Sequence, residues 1–270
     1  MLKNSDYIYT IGNSHKTCDD FAYSYTDNGI NLSIVSDGCS SSKNSDIGAR
    51  LICSKILDSL CAWNNLMNQI YVNEIIENCF EIIFNKYHKI YGDYFLDCTI
   101  ITAITDNIHT VVYLMGDGCI LCKYNNGTET YFNTEFENNA PAYMSYVLNT
   151  ERQNAYLDFS RYYEETTITR NINKTDISTE TKSENKKMNG IPVRNYSFNH
   201  NKVKYLMLFT DGINSFTDNS KDLSYYGHKM LDVKNENGVF LQRQVQGICR
   251  HEKETGNIHD DDFSGIALIF

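Results

Sequence analysis

The chain has 270 residues, 41% of them apolar, so it is long enough to bury a sizeable core in one large domain or two small ones. Its formal net charge of −10 argues against nucleic-acid binding, which needs a basic face to displace counterions from phosphate. No apolar run approaches the length of a membrane span, and residues 1–10 do not resemble a signal peptide. We therefore expect no membrane partner, reduced thiols in the nine cysteines, and a cytoplasmic location.

The N-terminal region predicts a β-hairpin. Residues 21–26 and 30–36 are strand-like runs on either side of an Asp-Asn-Gly turn at 27–29. Asp20 stands at the start of the first run, and Asp37 follows the second. The hairpin is therefore expected to bring these two carboxylates to the same end of a sheet.

Two helices and a run of strands follow this hairpin. Ser45 begins a helix that extends to about residue 63, and apolar residues at helical spacing predict a second helix over about 65–90. Tight turns then separate four strands, over residues 98–105, 108–115, 119–124 and 128–132. Sequential strands with tight turns indicate antiparallel pairing, which favours an α+β fold over a doubly wound α/β fold.

The region from about 134 to 199 has the least regular pattern. Short strands are predicted over 143–148 and 165–169, and the polar stretch 174–189 predicts a mobile loop, near 172–190. Beyond this region we predict a strand at 202–209, a helix at 238–251 and a strand at 263–270. Neither an internal repeat nor a domain boundary is evident, so residues 1–270 are predicted to form a single domain.

Carboxylates recur at the ends of the predicted strands. Asp37, Asp117 and Asp211 each follow an apolar run and precede a glycine, and the run 260–262 is entirely aspartate. One such Asp-Gly is explained by a turn alone, Asp20 could cap a turn, and Asp117 could be only a hairpin residue. Together the carboxylates would repel one another unless cations neutralise them, and hard oxygen ligands in this number suit Mg²⁺ or Mn²⁺.

The order of these motifs resembles that of the metal-dependent type 2C (PPM) protein serine/threonine phosphatases, bacterial type. The resemblance covers most of the chain outside 134–199. The motifs that carry it are Gly12-x-Ser14-His15, Cys18-Asp19-Asp20, Ser36-Asp37-Gly38, Gly116-Asp117-Gly118, Thr210-Asp211-Gly212 and Asp261-Asp262-x-Ser264.

The resemblance implies a four-layer α/β/β/α sandwich of two antiparallel sheets flanked by helices, with a site for two Mg²⁺ or Mn²⁺ ions and room for a third. The ligands it implies are Asp20 through water, Asp37 as the bridge, the Gly38 carbonyl, Asp211, Asp261 and, for the third ion, Asp117. Asp261 is chosen over Asp260 and Asp262 because Asp-Asp-x-Ser matches the family's Asp-Asn-x-Thr.

The reaction implied by the resemblance is hydrolysis of phosphoserine and phosphothreonine by a metal-activated water. It implies phosphorylated proteins as substrates and a cognate serine/threonine kinase as a partner. Two positions depart from the family: His15 stands where many members have a phosphate-binding Arg, and Cys39 where many have a His that is proposed as a general acid. A protonated His15 could still bind the substrate phosphate, in a pH-dependent way. These departures leave a second reading open, in which the chain is an inactive pseudophosphatase that binds a phosphorylated partner.

Overall fold

Two antiparallel sheets face each other in the computed structural model, which describes residues 2–27, 29–62, 69–172, 177–218 and 221–270. The strands are β1 Asn4–Thr10, β2 Phe21–Asp27, β3 Ile30–Ser36, β4 Ile100–Thr105, β5 His109–Met115, β6 Gly118–Tyr124, β7 Glu129–Phe136, β8 Tyr162–Ile172, β9 Ile177–Lys187, β10 Val193–Asn199, β11 Val203–Phe209 and β12 Phe263–Ile269. The helices are α1 Ser45–Cys61, α2 Gln69–Tyr91, α3 Thr150–Phe159, α4 Leu223–Leu231 and α5 Phe240–Glu254.

The sheets form the two inner layers of a four-layer α+β sandwich, as predicted. One sheet has the order β1-β12-β11-β6-β7-β8-β9, and the other has the order β10-β5-β4-β3-β2. Helices α1 and α2 share a hydrophobic core with the five-stranded sheet, and α4 and α5 share another with the seven-stranded sheet. A third core lies between the sheets.

Alternation along the strands produces these layers. In β3, Leu32 and Ile34 pack in the core beneath α1 and α2, whereas Val35 faces the opposite sheet. In β11, Met207 packs in the core shared with α4 and α5, whereas Leu208 lies between the sheets. Strands covered on both faces read as continuous apolar runs, and this is why their carboxylate-bearing ends are conspicuous in the sequence.

The predicted N-terminal hairpin and the following meander are present. β2 pairs antiparallel with β3 along its length, and β3, β4 and β5 continue the same sheet. Asn28 of the predicted turn lies outside the described residues. Residues 63–68, where the first predicted helix ends and the second begins, also lie outside them. Five of the strands and helices named above were not predicted, namely β1, α3, β9, β10 and α4.

Two predictions in the region 134–199 are wrong. Residues 143–148 form a 3₁₀ helix, Met144–Leu148, instead of a strand. The stretch 174–189 contains strand β9, which pairs with β8 throughout, instead of being only a loop. Its polar residues make cross-strand contacts, including Thr166 Oγ1 to Ser183 Oγ at 2.9 Å and Lys186 to Glu165 at 2.5 Å. An edge hairpin with largely solvated faces has a polar sequence, and here that polarity was mistaken for irregularity.

Within the described part of the chain, no helix combines the length and the apolar character needed to cross a membrane.

A buried carboxylate ties α4 and α5 to the segment that leads into β12. Glu252 of α5 is fully buried and accepts Lys221 Nζ at 2.6 Å and Lys229 Nζ at 3.0 Å. Asn257 Nδ2 donates to the same carboxylate at 2.6 Å. Burial acts to raise the pKa of Glu252, but the lysines and Asn257 outweigh it and lower the pKa to about 2. This link fixes the chain just before the aspartate run 260–262.

We expect Glu252→Gln to lower the free energy of unfolding by about 2 to 3 kcal/mol at pH 7, because two lysines lose a buried partner. A depressed folded-state pKa gives stability that is present above pH 4.5 and is lost as the pH falls through about 2. The difference from wild type, measured by urea unfolding, should therefore be clearly smaller at pH 3. Glu254→Gln changes an exposed neighbour on α5 and is the control. An equal difference in unfolding free energy between Glu252→Gln and wild type at pH 7 and pH 3 would contradict the lowered pKa of Glu252.

Candidate metal centre

The end of β3 places Asp37 at one end of the sandwich. Its backbone N–H donates to Thr99 Oγ1 at 3.0 Å, and its carbonyl oxygen accepts the Thr99 N–H at 2.8 Å. Gly38 continues this pairing as a bridge to Cys98. A Cβ on Gly38 would lie 2.8 Å from the Asp19 carbonyl oxygen, so only glycine allows the chain to pass here.

Two more aspartates reach the same point from the other sheet. Asp211 follows β11, and Asp117 lies in the turn between β5 and β6. Oxygen atoms of Asp37, Asp117 and Asp211 all lie within 4.8 Å of one another. Carboxylates separated by long stretches of sequence are thus gathered into one cluster, which we call the carboxylate cluster.

Asp20 adjoins the carboxylate cluster and is only 1% exposed. Its Oδ2 accepts the Thr210 hydroxyl at 2.8 Å, and Thr210 Oγ1 in turn accepts the Ser264 N–H at 3.0 Å. The other oxygen, Oδ1, is buried without a hydrogen-bond partner among the described residues. Thr210 therefore orients the carboxyl group and leaves one oxygen available for a ligand.

The turn that carries Asp117 is held from outside by a buried guanidinium. Gly116 has a φ of 89°, a conformation that favours glycine. Its carbonyl oxygen accepts a hydrogen bond from Arg194 Nη2, and the Arg194 guanidinium lies beside the stacked rings of Phe136 and Tyr163, at 5.4 and 5.3 Å from their centroids. Arg194 thereby fixes the turn and places a positive charge near Asp117, whose Oδ1 is also buried and unpartnered among the described residues.

Crowding and desolvation act on all four carboxylates. Burial, with the charge of Asp211, raises the pKa of Asp20 to about 7. Burial, followed by the charge of Asp261, raises the pKa of Asp211 to about 6. Burial and the neighbouring carboxylates also raise the pKa of Asp37 and of Asp117. The protein thus holds several negative charges where they are disfavoured, which is the electrostatic condition of a cation site.

The aspartate run 260–262 divides into three environments. Asp260 is exposed, and Asp261 is partly exposed, with its charge acting on Asp211. Asp262 is buried, and its oxygens accept the backbone N–H groups of Gly12 at 2.8 Å and Asp19 at 2.5 Å. Asp262 therefore fastens the N-terminal loop, and the choice of Asp261 as the metal ligand among the three stays a prediction.

His15 lies between two of these carboxylates. Its Nε2 is 3.2 Å from Asp261 Oδ1, and its Nδ1 is 3.1 Å from Asp262 Oδ2. Burial acts to lower the pKa of His15, but the Asp262 hydrogen bond and the charges of both aspartates raise it overall. In this arrangement both ring nitrogens bind protein carboxylates, and binding of a substrate phosphate by His15 stays a prediction.

The donor set fits a divalent cation. Asp20 and Asp117 each present a buried oxygen without a partner among the described residues, and Asp37 and Asp211 complete a group of hard oxygen donors. Buried carboxylate oxygens without a hydrogen-bond partner are energetically costly unless a cation or ordered water binds them. The predicted residues Asp20, Asp37, Asp117 and Asp211 are thus brought together, and Gly38 is next in the chain to Asp37. Asp261 is not part of this group, although its charge raises the pKa of Asp211.

Several residues of the site were not foreseen from the sequence. Thr99, Thr210 and Arg194 position the aspartates, and Asp262 fastens the loop that carries Asp20. Thr210 does lie within one of the quoted motifs, where a hydroxyl before Asp-Gly was a usable signal. For Arg194 the sequence offers no signal, because its partner is a backbone carbonyl far away in the chain.

The sequence profile of the protein phosphatase 2C family matches residues 11–248, nearly the whole chain. The chain belongs to the protein phosphatase 2C family. The predicted resemblance is thus confirmed, and dependence on Mg²⁺ or Mn²⁺ is general in this family. Comparison with curated protein sequences gives no match.

Solved structures of bacterial members of the phosphatase 2C family share the fold. A bacterial serine phosphatase matches with a TM-score of 0.61 at 12% identity, covering 100% of this chain and 98% of the other. The serine/threonine phosphatase Stp1 from Staphylococcus aureus matches with a TM-score of 0.55 at 15% identity, covering 100% and 95%. PstP/Ppp of Mycobacterium tuberculosis matches with 0.55 at 8%, covering 100% and 99%.

We expect Asp37→Asn to be more stable than wild type in the absence of metal at pH 8, by about 1 to 3 kcal/mol, because a disfavoured buried charge is removed. A carboxyl group whose pKa is raised in the folded state contributes stability that is present below pH 3.8 and is lost as the pH rises through the folded-state pKa. For Asp20 that pKa is about 7. The difference in unfolding free energy between Asp37→Asn and wild type should therefore be smaller at pH 4.

Urea unfolding in EDTA measures this difference, and excess Mn²⁺ should reverse it, because metal stabilises a protein that binds it. Asp260→Asn removes an exposed charge next to the site and should behave as wild type. A metal-free Asp37→Asn protein that is less stable than wild type at pH 8 would count against charge crowding at Asp37.

Proposed function

We propose that this phosphatase 2C family member hydrolyses phosphoserine and phosphothreonine in proteins, at a binuclear Mg²⁺ or Mn²⁺ site. The observation that carries the proposal is the carboxylate cluster, in which Asp37, Asp117 and Asp211 present oxygens within 4.8 Å of one another beside the buried Asp20. The ligands would be Asp37, the Gly38 carbonyl, Asp211 and Asp261, with Asp20 acting through water and Asp117 serving a third ion. Two divalent cations bound there would activate a water molecule and neutralise the phosphoryl oxygens.

The chain's own residues prepare this chemistry in three ways. Thr99 and Thr210 hold Asp37 and Asp20 in fixed orientations, so little reorganisation is needed on binding. Partial exposure of Asp37 and Asp211 leaves the carboxylate cluster open to solvent and to a phosphoryl group. Hydrolysis by a water molecule needs no covalent phospho-enzyme, and this agrees with a site built from aspartates and backbone groups.

The family implies phosphorylated proteins as substrates. A cognate serine/threonine kinase, which would phosphorylate these substrates, is the further partner that we propose. The site itself identifies neither the substrate protein nor the kinase, because a binuclear centre recognises the phosphoryl group that all such substrates share.

We expect Asp37→Asn and Asp211→Asn each to reduce Mn²⁺-dependent hydrolysis of a phosphoserine peptide by at least about 10³-fold, since each removes a metal ligand. The assay is phosphate release with and without EDTA. Asp260→Asn is the matched control, because it makes the same change at an exposed position and should retain activity.

Two results would contradict this proposal. Wild-type turnover in both ligand variants would show that the carboxylate cluster is not the catalytic centre. Binding of Mn²⁺ in calorimetry without turnover of any phosphomonoester would favour the pseudophosphatase, a module that binds a phosphorylated partner.

A further inference from the structure

A short antiparallel ladder holds the chain on either side of Gly38. The Thr99 N–H donates to the Asp37 carbonyl oxygen at 2.8 Å, and the Cys39 N–H donates to the Asp97 carbonyl oxygen at 2.9 Å. These two bonds hold the residue before Gly38 and the residue after it. The ladder therefore fixes the backbone at Asp37, the residue in the centre of the proposed metal site.

The ladder also sets the direction of the Gly38 carbonyl group. Gly38 and Cys98 face each other as an antiparallel bridge, between the two hydrogen bonds of the ladder. In this kind of pair, the N–H and C=O groups of the two central residues point away from the opposite strand. Gly38 continues β3, which lies between β4 and β2, so its carbonyl oxygen points to the side of β2. Asp20 directly precedes β2, and the Gly38 oxygen is thus directed to the side of a predicted ligand.

The side chain of Asp97 ties the ladder to two further segments. Asp97 is only 4% exposed. Its Oδ2 accepts the hydroxyl of Ser42 at 3.1 Å, in the loop between Cys39 and α1. Its Oδ1 accepts the hydroxyl of Ser145 at 2.7 Å, in the 3₁₀ helix Met144–Leu148. One buried carboxylate therefore joins the loop after Asp37 to the region 134–199.

Arg152 of α3 holds this carboxylate in place. Its Nη2 lies 2.8 and 3.0 Å from the two oxygens of Asp97, and its Nη1 donates to the Asp93 carbonyl oxygen at 3.3 Å. The guanidinium also lies over the rings of Tyr94 at 4.5 Å and Tyr146 at 4.9 Å. Hydrogen bonds between charged groups are stronger than neutral ones, and the two rings restrict the guanidinium further. Arg152 thus restrains Asp97, and Asp97 restrains the ladder.

We propose that Asp97 and Arg152 are positioning residues for the metal centre. Through the ladder, they hold the Asp37 carboxylate and the Gly38 carbonyl oxygen where a divalent cation can bind them. This inference rests on the metal site of the proposed function, and it gives α3, from the region 134–199, a part in metal affinity. Outer groups that orient metal ligands typically change metal affinity by about 10- to 100-fold.

The affinity of folded variants for Mn²⁺ tests this role. Arg152→Met leaves Asp97 without its cation, so the ladder loses its restraint. We expect calorimetric titration to give a Kd for Mn²⁺ that is about 10-fold weaker than that of wild type. Arg152→Lys restores the positive charge, and its Kd should return to within about threefold of wild type. Excess Mn²⁺ should restore most of the phosphoserine hydrolysis lost in Arg152→Met, because the loss lies in metal binding.

Lys123→Met is the matched control. Lys123 also pairs with a buried carboxylate, that of Glu129 at 2.9 Å, and its side chain is 21% exposed against 19% for Arg152. It lies five residues along β6 from Gly118, a distance of about 17 Å in an antiparallel strand. This variant should lower the thermal unfolding midpoint and leave the Kd for Mn²⁺ unchanged. Thermal unfolding also identifies a titration temperature at which every variant is folded.

The outcomes separate this inference from the proposed function. An unchanged Kd in Arg152→Met, or an equal weakening in Lys123→Met, would overturn the positioning role and leave the proposed function standing. If Arg152→Met does not fold, Ser42→Ala replaces it as the test. That change removes one hydroxyl from a half-buried loop position and should weaken the Kd by about threefold, and an unchanged Kd would overturn the role.

The wild type supplies the remaining outcomes. Binding of Mn²⁺ without hydrolysis of a phosphoserine peptide would remove the proposed function, and the positioning role would then stand or fall on the Kd values alone. A wild type that binds no Mn²⁺ at millimolar concentration would remove the proposed function and the inference together.

Discussion

Repulsion among buried carboxylates is the constraint on which the site depends. Asp37 comes from the five-stranded sheet and Asp211 from the seven-stranded sheet, and the packing of the two sheets forces them together. Isolated in solution, such groups would separate or take up protons, and here burial and mutual charge raise their pKa values. The sandwich core must therefore supply the free energy that keeps this end assembled until a cation binds.

The residues around the carboxylate cluster share one physical task, which is to supply donors without supplying a competing cation. Thr210 donates its hydroxyl to Asp20, Thr99 holds the Asp37 backbone by accepting its N–H, and the backbone N–H groups of Gly12 and Asp19 are bound by Asp262 instead of by the cluster. The cationic Arg194 is nearby, but its guanidinium is directed to a carbonyl oxygen. The aspartates are thus held in place without being neutralised, so their negative charge stays available to a metal ion.

The parts of the fold that the sequence predicted are those where local pattern and tertiary environment agree. Strands such as β3 and β11 are buried on both faces, so their apolar runs end abruptly at Asp37 and Asp211. Part of β8 was predicted, but its partner β9 was missed because the hairpin is largely solvated and its stabilising pairs link residues across the two strands. Likewise, the run 260–262 contains three identical side chains, and only contacts with Gly12, Asp19 and His15 distinguish them.

The same argument explains why the 3₁₀ helix Met144–Leu148 could not be predicted from motifs. A motif records residues whose spacing is set by a strand end and its turn, whereas this 3₁₀ helix is held by the bond from Ser145 to Asp97, which in turn binds Arg152 of α3. Asp97 binds the loop after Asp37 and the segment around Tyr143 with the same side chain and backbone. Part of the region outside the family motifs is therefore joined by hydrogen bonds, through Asp97, to the loop that follows Asp37.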